Sequence, residues 1–468
     1  MTKKFAHPYI PNSQPAIKAA LLKALDMKSA EDIYKEIPEH LRYRKKMNIP
    51  EPIQSEYLLL RHVEGILQKN KNAKNLVCFL GGGTWQHYVP AVCDTIMERD
   101  EFLTAYVGEA YSDHGKFQAL FETGSMICDL TGMDACNTPV YDWGNAVAIA
   151  SRMASRTTGR KEILIASNAG PERVSIVKNY VKPDIAVNFI NYDKGTGLLD
   201  LTDLKAKLSK NTAAVYFETP SYIGVIETQA AKICKLAKAK GALSIVGVDP
   251  SSLGVFEAPG AYGADYVVGN YQPLGQHMQF GGGCGGFICT HDDKKFIAEY
   301  PSLLFGMYAV DGTEEDGELG FGEVFYERTS YASREKGKDF VGTSAALIGI
   351  TAGVYMALMG PQGFKELGTG ILQRVAYTKD RLAQIPGVSL PIDSVGFSDF
   401  LVSFKGKSVA EVNKALLAFG VIGGKDVSGD FPEFGQSALY SVTEVHTKED
   451  LDKLIDALTA IMPTADAV

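Results

Sequence analysis

Apolar residues along this chain change their rhythm three times. In the first part they recur at helical spacing, in PAIKAALLKAL (15–25) and again from Glu56 through Tyr57, Leu58, Leu60, Val63, Ile66 and Leu67 toward Lys71. This predicts two helices, the first with Pro15 in a favourable early position. Ser29 with Asp32 three residues on reads as a capped start between them. The intervening IPEHLRYRKKMNIPEPI is charged and carries Pro38, Pro50 and Pro52. Proline-spaced sequence resists both helix and central strand, so this is expected to be an extended arm. It lies either on a partner subunit or on its own core.

From 161 to 290 short, nearly continuous apolar runs alternate with helical stretches. EILIAS precedes a helix from Glu172, AVNFINY precedes Thr202 to Leu208, and AAVYFETP precedes Thr228 to Lys240; LSIVGVD, YVVGN and GGFICT follow. Such alternation predicts an α/β fold with a mostly parallel sheet covered on both faces. Ahead of it, one helix is expected from about Lys116 to Leu130, and another opens at Tyr141-Asp142-Trp143.

The rhythm then loosens. DGTEEDGELGFGEVFYERTSYASREKGKDF reads as a solvated surface loop, followed by an apolar helix from Ser344 to Met359 that stops at Gly360-Pro361 and is too short for a membrane span. Helix, strand (Phe400 to Phe404), helix (Val409 to Phe419), strand (Leu439 to Thr443) and a helix from Lys448 complete a small α+β unit. The expected domains are 1–70 (helices and arm), 71–343 (the large domain) and 344–468 (the small α+β domain).

Composition narrows the classes. With 468 residues, 46% of them hydrophobic, the chain can bury a substantial core. A net charge of −8 argues against a nucleic-acid or anionic-membrane partner. The N-terminus has no unbroken apolar segment of the kind that directs secretion, so a cytoplasmic location is expected. The seven cysteines form no CxxC pair, which fits reduced core thiols and no metal site.

Candidate chemistry concentrates between Leu243 and Gly286. The run ending in Asp249 is a buried strand with a carboxylate at its C-terminal end, where open α/β sheets place ligands. Thr219-Pro220-Ser221-Tyr222-Ile223-Gly224 closes a neighbouring strand at the same edge. In pyridoxal-phosphate (PLP) enzymes of the aspartate-aminotransferase fold, such a carboxylate pairs with the pyridine nitrogen, and the next strand delivers the Schiff-base lysine. Here that next stretch is YVVGNYQPLGQH, and no lysine occurs between Lys240 and Lys294. The helix entrance that would hold the cofactor phosphate carries Asp142 and the bulky Trp143, and a carboxylate beside a phosphate is unfavourable. Gly81-Gly82-Gly83 permits close backbone approach but lacks the remainder of a phosphate-binding P-loop. His87 and His277 have no carboxylate nearby in sequence and read as ordinary histidines.

Several stretches in a fixed order resemble the α chain, subunit 1, of the two-chain glycine dehydrogenase (decarboxylating), the P-protein of the glycine cleavage system. They are FLGGGTWQHYVPAVCDTIMERDEFLTAY, FQALFETGSMICDLTGMD, ETPSYIGVIE, VGVDPSSLG, GADYVVGNYQPLG, FGGGCGGF, REKG, YMALMGPQGFKELG and SVTEVHTKEDLDKL. The resemblance implies fold type I of the PLP-dependent transferases. It also implies a role beside a homologous β subunit that carries the lysine and the PLP, in an α2β2 arrangement, with glycine decarboxylated and its aminomethyl group passed to the lipoyl arm of the H-protein. It implies no catalytic residue on this chain. The cofactor-facing candidates are Asp249, by its place in the frame, and Thr343 and Ser344, toward the partner's phosphate or as caps of the next helix. Three loops depart from the family pattern: Val107–Gly115, Asn168–Glu172 and Gly337–Ser344. Two other readings stay open. One is a self-sufficient PLP aminotransferase or lyase, which would need Lys336 or Lys338 as its lysine; the other is a non-catalytic scaffold.

Overall fold

The apolar runs of the middle region become the strands of a single sheet. They are β1 (Ala135–Cys136), β2 (Glu162–Ala166), β3 (Ala186–Ile190), β4 (Thr212–Glu218), β5 (Leu243–Val248), β6 (Tyr266–Asn270) and β7 (Gly286–Thr290), in the order β1-β7-β6-β5-β4-β2-β3. The computed structural model describes residues 7, 9–103, 115–310, 318–339 and 344–462. Strands β2 to β6 pair in parallel. β7 instead runs antiparallel to both β6 and β1, although its sequence pattern matches the parallel strands. Between β6 and β7 only a 3-10 turn at Gln279–Gly281 forms, and without a crossover helix the chain returns antiparallel.

Both sheet faces are covered. On β5, Val246 and Val248 join Phe217, Ile233, Cys234 and Ala237 in one core, with the last three of these on the helix Ala230–Ala239. Ile245 points the other way, into a core with Tyr216, Ala146, Val147 and Ala150, whose alanines and valine belong to the helix Trp143–Thr158. Strand side chains alternate between faces, so Gly247 and Asp249 continue the face of Ile245, and Glu218 that of Tyr216. This alternation puts the candidate carboxylates on the side of the Trp143 helix.

A second layer is built from β8 (Val388–Ser389), β9 (Asp399–Phe404), β10 (Lys425–Asp426) and β11 (Ser437–Ser441), in the order β8-β9-β11-β10 and antiparallel throughout. The helix Ala346–Leu382 serves both layers. Its Ile348, Ala352, Tyr355, Met356 and Phe364 belong to the first core, and Leu367, Ile371, Val375 and Leu382 to the core of the second layer. The sequence pattern stopped this helix at Met359. In the structure Gly360 leaves helical geometry at φ +58° and the helix resumes at once, because Pro361 begins the new segment, where a missing N–H costs nothing. The helix is long and apolar enough to cross a membrane, but its apolar residues are spent on the two cores.

Within the stretch expected to be a surface loop, Leu319–Glu323 forms a strand that pairs antiparallel with Phe305–Ala309, which precedes that stretch. Its alternating aromatic and glycine residues form the pairing that the acidic composition obscured.

The chain divides into two compact units, Met1–Asn70 and Lys71–Val468. The first has helices Pro15–Ala24 and Glu56–Leu67 as expected. The capped start at Ser29 also forms, with Asp32 accepting from the amides of Lys28 and Ser29, but it opens a 3-10 helix, Ala30–Glu36. Among the described residues of this unit none is buried.

The turn after β4 is fitted against β9. Gly224 adopts φ +86°, and a Cβ there would lie 1.7 Å from the Asp399 carbonyl oxygen. Gly224→Ala is therefore expected to lower stability by more than about 3 kcal/mol, read by denaturant unfolding; a variant as stable as the parent contradicts this packing.

Candidate functional site at the carboxyl edge of the sheet

Asp249 follows β5 and is buried. Its Oδ1 accepts from the Ser251 amide at 2.9 Å and the Ser251 hydroxyl at 2.7 Å, which makes it the cap of the turn Pro250–Gly254. Its Oδ2 has no partner among the described residues. Burial pushes its carboxyl above the ordinary carboxylate range, since desolvation disfavours the charged form.

Facing it is Asp399 at the start of β9. Its Oδ2 accepts from Trp85 Nε1 at 2.9 Å. Burial, helped by the neighbouring charge of Asp249, pushes Asp399 up to about 7. The loop that delivers Trp85 is clamped by Gln272, which accepts from the Trp85 amide and donates to its carbonyl. Gly81 in this loop approaches so closely that a Cβ would lie 2.2 Å from Asp399 Oδ1. The glycine run thus serves a tight backbone approach inside the protein.

His87, from the same loop, is buried and pairs through Nδ1 with Glu444 Oε2 at 2.8 Å. Burial opposes its protonation, but the Glu444 carboxylate outweighs burial and raises its pKa. No carboxylate neighbours His87 along the chain, because its partner lies 357 positions away. His277, by contrast, is exposed beside Asp94 and takes no part in the site.

The third group sits on the face of Gly247. Tyr216 donates to Glu218 at 2.7 Å, Glu218 accepts from Arg173 at 2.7 Å, and the Arg173 guanidinium lies 3.6 Å from the Trp143 ring centroid. Arg173 and Glu218 are both buried. Burial works against the guanidinium charge, but Glu218 holds the Arg173 pKa above its usual value. Asp142 caps the Trp143 helix, accepting from the Asn145 amide at 2.7 Å, so the carboxylate at the helix entrance is structural. At the rim, Lys425 contacts Glu172 and donates to Tyr222 at 2.6 Å. Glu218 ends an apolar strand just as Asp249 does, a signal the sequence reading did not use; nothing near Arg173 in the sequence marked it.

Trp85, Trp143, Arg173, Pro220, Ser221, Tyr222, Asp249, Ser398 and Asp399 together leave a cavity of about 10 Å³, room for one water. The polar turn after β4 thus meets Asp249 at the same edge, as its sequence position implied. Ser344 is not among the lining residues. Its hydroxyl is buried without a partner among the described residues, and Ala345 occupies the cap position of the following helix. Thr343 lies outside the described residues, as do Val107–His114 and 340–342 of the divergent loops. Asn168, in the third divergent loop, is buried and donates to the Gly197 carbonyl.

A parallel sheet with an antiparallel end, helices on both faces and a small second layer joined by one long helix is the fold of the type I PLP-dependent transferases. A sphingosine-1-phosphate lyase from Burkholderia pseudomallei shares it at a TM-score of 0.65, with 12% identity over 91% of this chain and 94% of that one. Within that class the chain belongs to the glycine cleavage system P-protein family, whose sequence profile matches residues 7–458. A probable glycine dehydrogenase (decarboxylating) subunit 1 from Thermococcus onnurineus is 37% identical over 97% of this chain and 99% of its own length. One from Brevibacillus brevis is also 37% identical, over 97% and 98%. A crystal structure of glycine decarboxylase (P-protein) of the glycine cleavage system, in inhibitor-bound form, superposes with a TM-score of 0.84 at 29% identity, over 98% of this chain and all of that one.

The residues at this edge do not fit the cofactor that the fold implies. No lysine occurs between Lys240 and Lys294, so neither β6 nor the loop after it offers a Schiff-base amine, and Asn270 at the end of β6 donates to the Gly83 carbonyl at 3.0 Å. The space beside Asp249 is far below the roughly 300–1,000 Å³ of small-molecule sites.

Two outcomes follow from this geometry. Asp399 binds its proton more tightly folded, near 7, than its ordinary 3.8; its contribution is therefore complete below about pH 4 and lost as pH rises through 7. Asp399→Asn should flatten the fall in stability between about pH 4 and about pH 7, an effect on the order of a few kcal/mol, read from unfolding midpoints; an unchanged slope contradicts it. Arg173→Ala, which strands Glu218, should cost about 3–5 kcal/mol, with much of the loss recovered by adding Glu218→Gln; additive losses in the double variant would contradict the pairing.

Proposed function

We propose that this chain is the lysine-free subunit of a glycine-decarboxylating P-protein, working with a homologous partner of the subunit 2 type in an α2β2 assembly. Pyridoxal phosphate resides on that partner, which supplies the Schiff-base lysine and the decarboxylation chemistry. The aminomethyl group then passes to the lipoyl arm of an H-protein. The observation that carries this reading is the absence of any lysine between Lys240 and Lys294, on β6 and the loop that follows it, within a framework otherwise kept. The subunit 1 names of the relatives from Thermococcus onnurineus and Brevibacillus brevis support it.

The first unit supports a partner as well. Tyr57, Leu58, Leu59, Leu60, Ile66 and Leu67 of its second helix are all exposed, and an apolar face of that kind is normally covered by another surface. This chain's contribution is then the interface and the positioning of segments near the partner's site. Ser344, whose hydroxyl has no hydrogen-bond partner among the described residues, is the cofactor-facing candidate toward the partner's phosphate, together with Thr343 by its place in the sequence. Nothing favours a self-sufficient enzyme: Lys338 is engaged with the Ala298 carbonyl and Glu299, and neither it nor Lys336 ends a strand.

Exchange of labelled carbon dioxide into the carboxyl group of glycine, with a lipoylated H-protein present, tests this function. The expected result is no exchange by the chain alone and exchange by its mixture with a lysine-bearing partner chain. Exchange by the chain alone, or none in a well-formed complex, overturns the proposal.

A further inference from the structure

The missing lysine explains why PLP cannot be held covalently here, but not why the pocket is closed. A fold type I site needs a strand-end carboxylate for the ring nitrogen and a group that holds the phosphate; this chain keeps the first, while Asp142 caps the helix N-terminus at the phosphate end. Asp249 is buried with Oδ2 unpartnered, and the helix Trp143–Thr158 starts at the same edge.

Between the two stands Trp143. A Cβ placed on Gly247 would lie 3.0 Å from both the Nε1 and the Cζ2 of its indole, so the indole packs against β5 two residues before Asp249, on the face from which Asp249 projects. Arg173 stacks on the indole at 3.6 Å, and Glu218 neutralises Arg173 at 2.7 Å. An aromatic ring and a charge-neutralised cation thus fill the volume, leaving about 10 Å³ beside Asp249.

We propose that Trp143, held by Arg173 and Glu218, is a plug that shuts this chain's own cofactor pocket, and that a PLP-binding cradle persists beneath it. Loss of the lysine and insertion of the plug are separate barriers. The first removes the covalent bond; the second excludes even loosely held cofactor. Removing the indole frees the face of β5 up to Asp249 and leaves the Arg173 guanidinium, no longer stacked, facing the opened space, where a phosphate dianion can share it. The inference rests on the proposed function only for the identity of the cofactor.

The test uses the isolated full-length chain and PLP itself, with equilibrium dialysis as the readout. Quenching of Trp85, the only tryptophan left once Trp143 is replaced, gives a second one. Wild type is expected to retain no PLP. Trp143→Gly should bind PLP at least ~100-fold more tightly than wild type, borohydride should fix none of it covalently, and adding Asp249→Ala should abolish the gain. Circular dichroism verifies that each variant is folded; if Trp143→Gly is not, Trp143→Ala takes its place with the same expectation. Retention of PLP by wild type, or a folded Trp143 variant that binds no better than wild type, overturns the plug. Because binding is read on the isolated chain, failure of glycine exchange in the mixture with a partner would overturn the proposed function and leave this result untouched.

Discussion

The buried pair of Arg173 and Glu218 is the constraint on which the carboxyl edge of this sheet depends. Two opposite charges out of water are tolerated only when each satisfies the other, and here the pair is also stacked under Trp143 and hydrogen-bonded to Tyr216. Its members come from β4 and from the helix Pro171–Tyr180, and Trp143 from the first turn of another helix. Fixing the pair fixes the relation of three elements at once. In an enzyme with a bound cofactor this edge would hold a ligand; here the protein's own side chains make the contacts.

Beside this pair sits a group of acids with little positive charge to balance it. Asp249 and Asp399 meet where the large sheet faces the small layer, and burial holds both carboxyls above their ordinary range. The His87–Glu444 pair ties the glycine loop to the segment after β11. Close backbone approaches at Gly81 and Gly224, both against Asp399, complete the seam. The result leaves room for one water and is too small for a substrate.

Much of the large domain could be read from the chain, because nearly continuous apolar strands separated by helices admit few arrangements. The strand-end carboxylate Asp249 and the polar turn 219–224 were placed at one edge for the same reason. Three things were not legible. The antiparallel direction of β7 depends on what its connection lacks, and its own residues match those of a parallel strand. The helical segment that starts at Pro361, directly after the expected break at Gly360, depends on packing against the second core. The site itself depends on partners far apart in sequence, as with His87 and Glu444, so local patterns could flag Trp143 as bulky but could not show what it covers.

The cofactor content of the assembled complex tests the central claim most directly. If this chain is a closed, lysine-free subunit, the purified complex with its partner holds one PLP per pair of chains, and borohydride fixes all of it to the partner. Two PLP molecules per pair, or any label on this chain, would contradict the account.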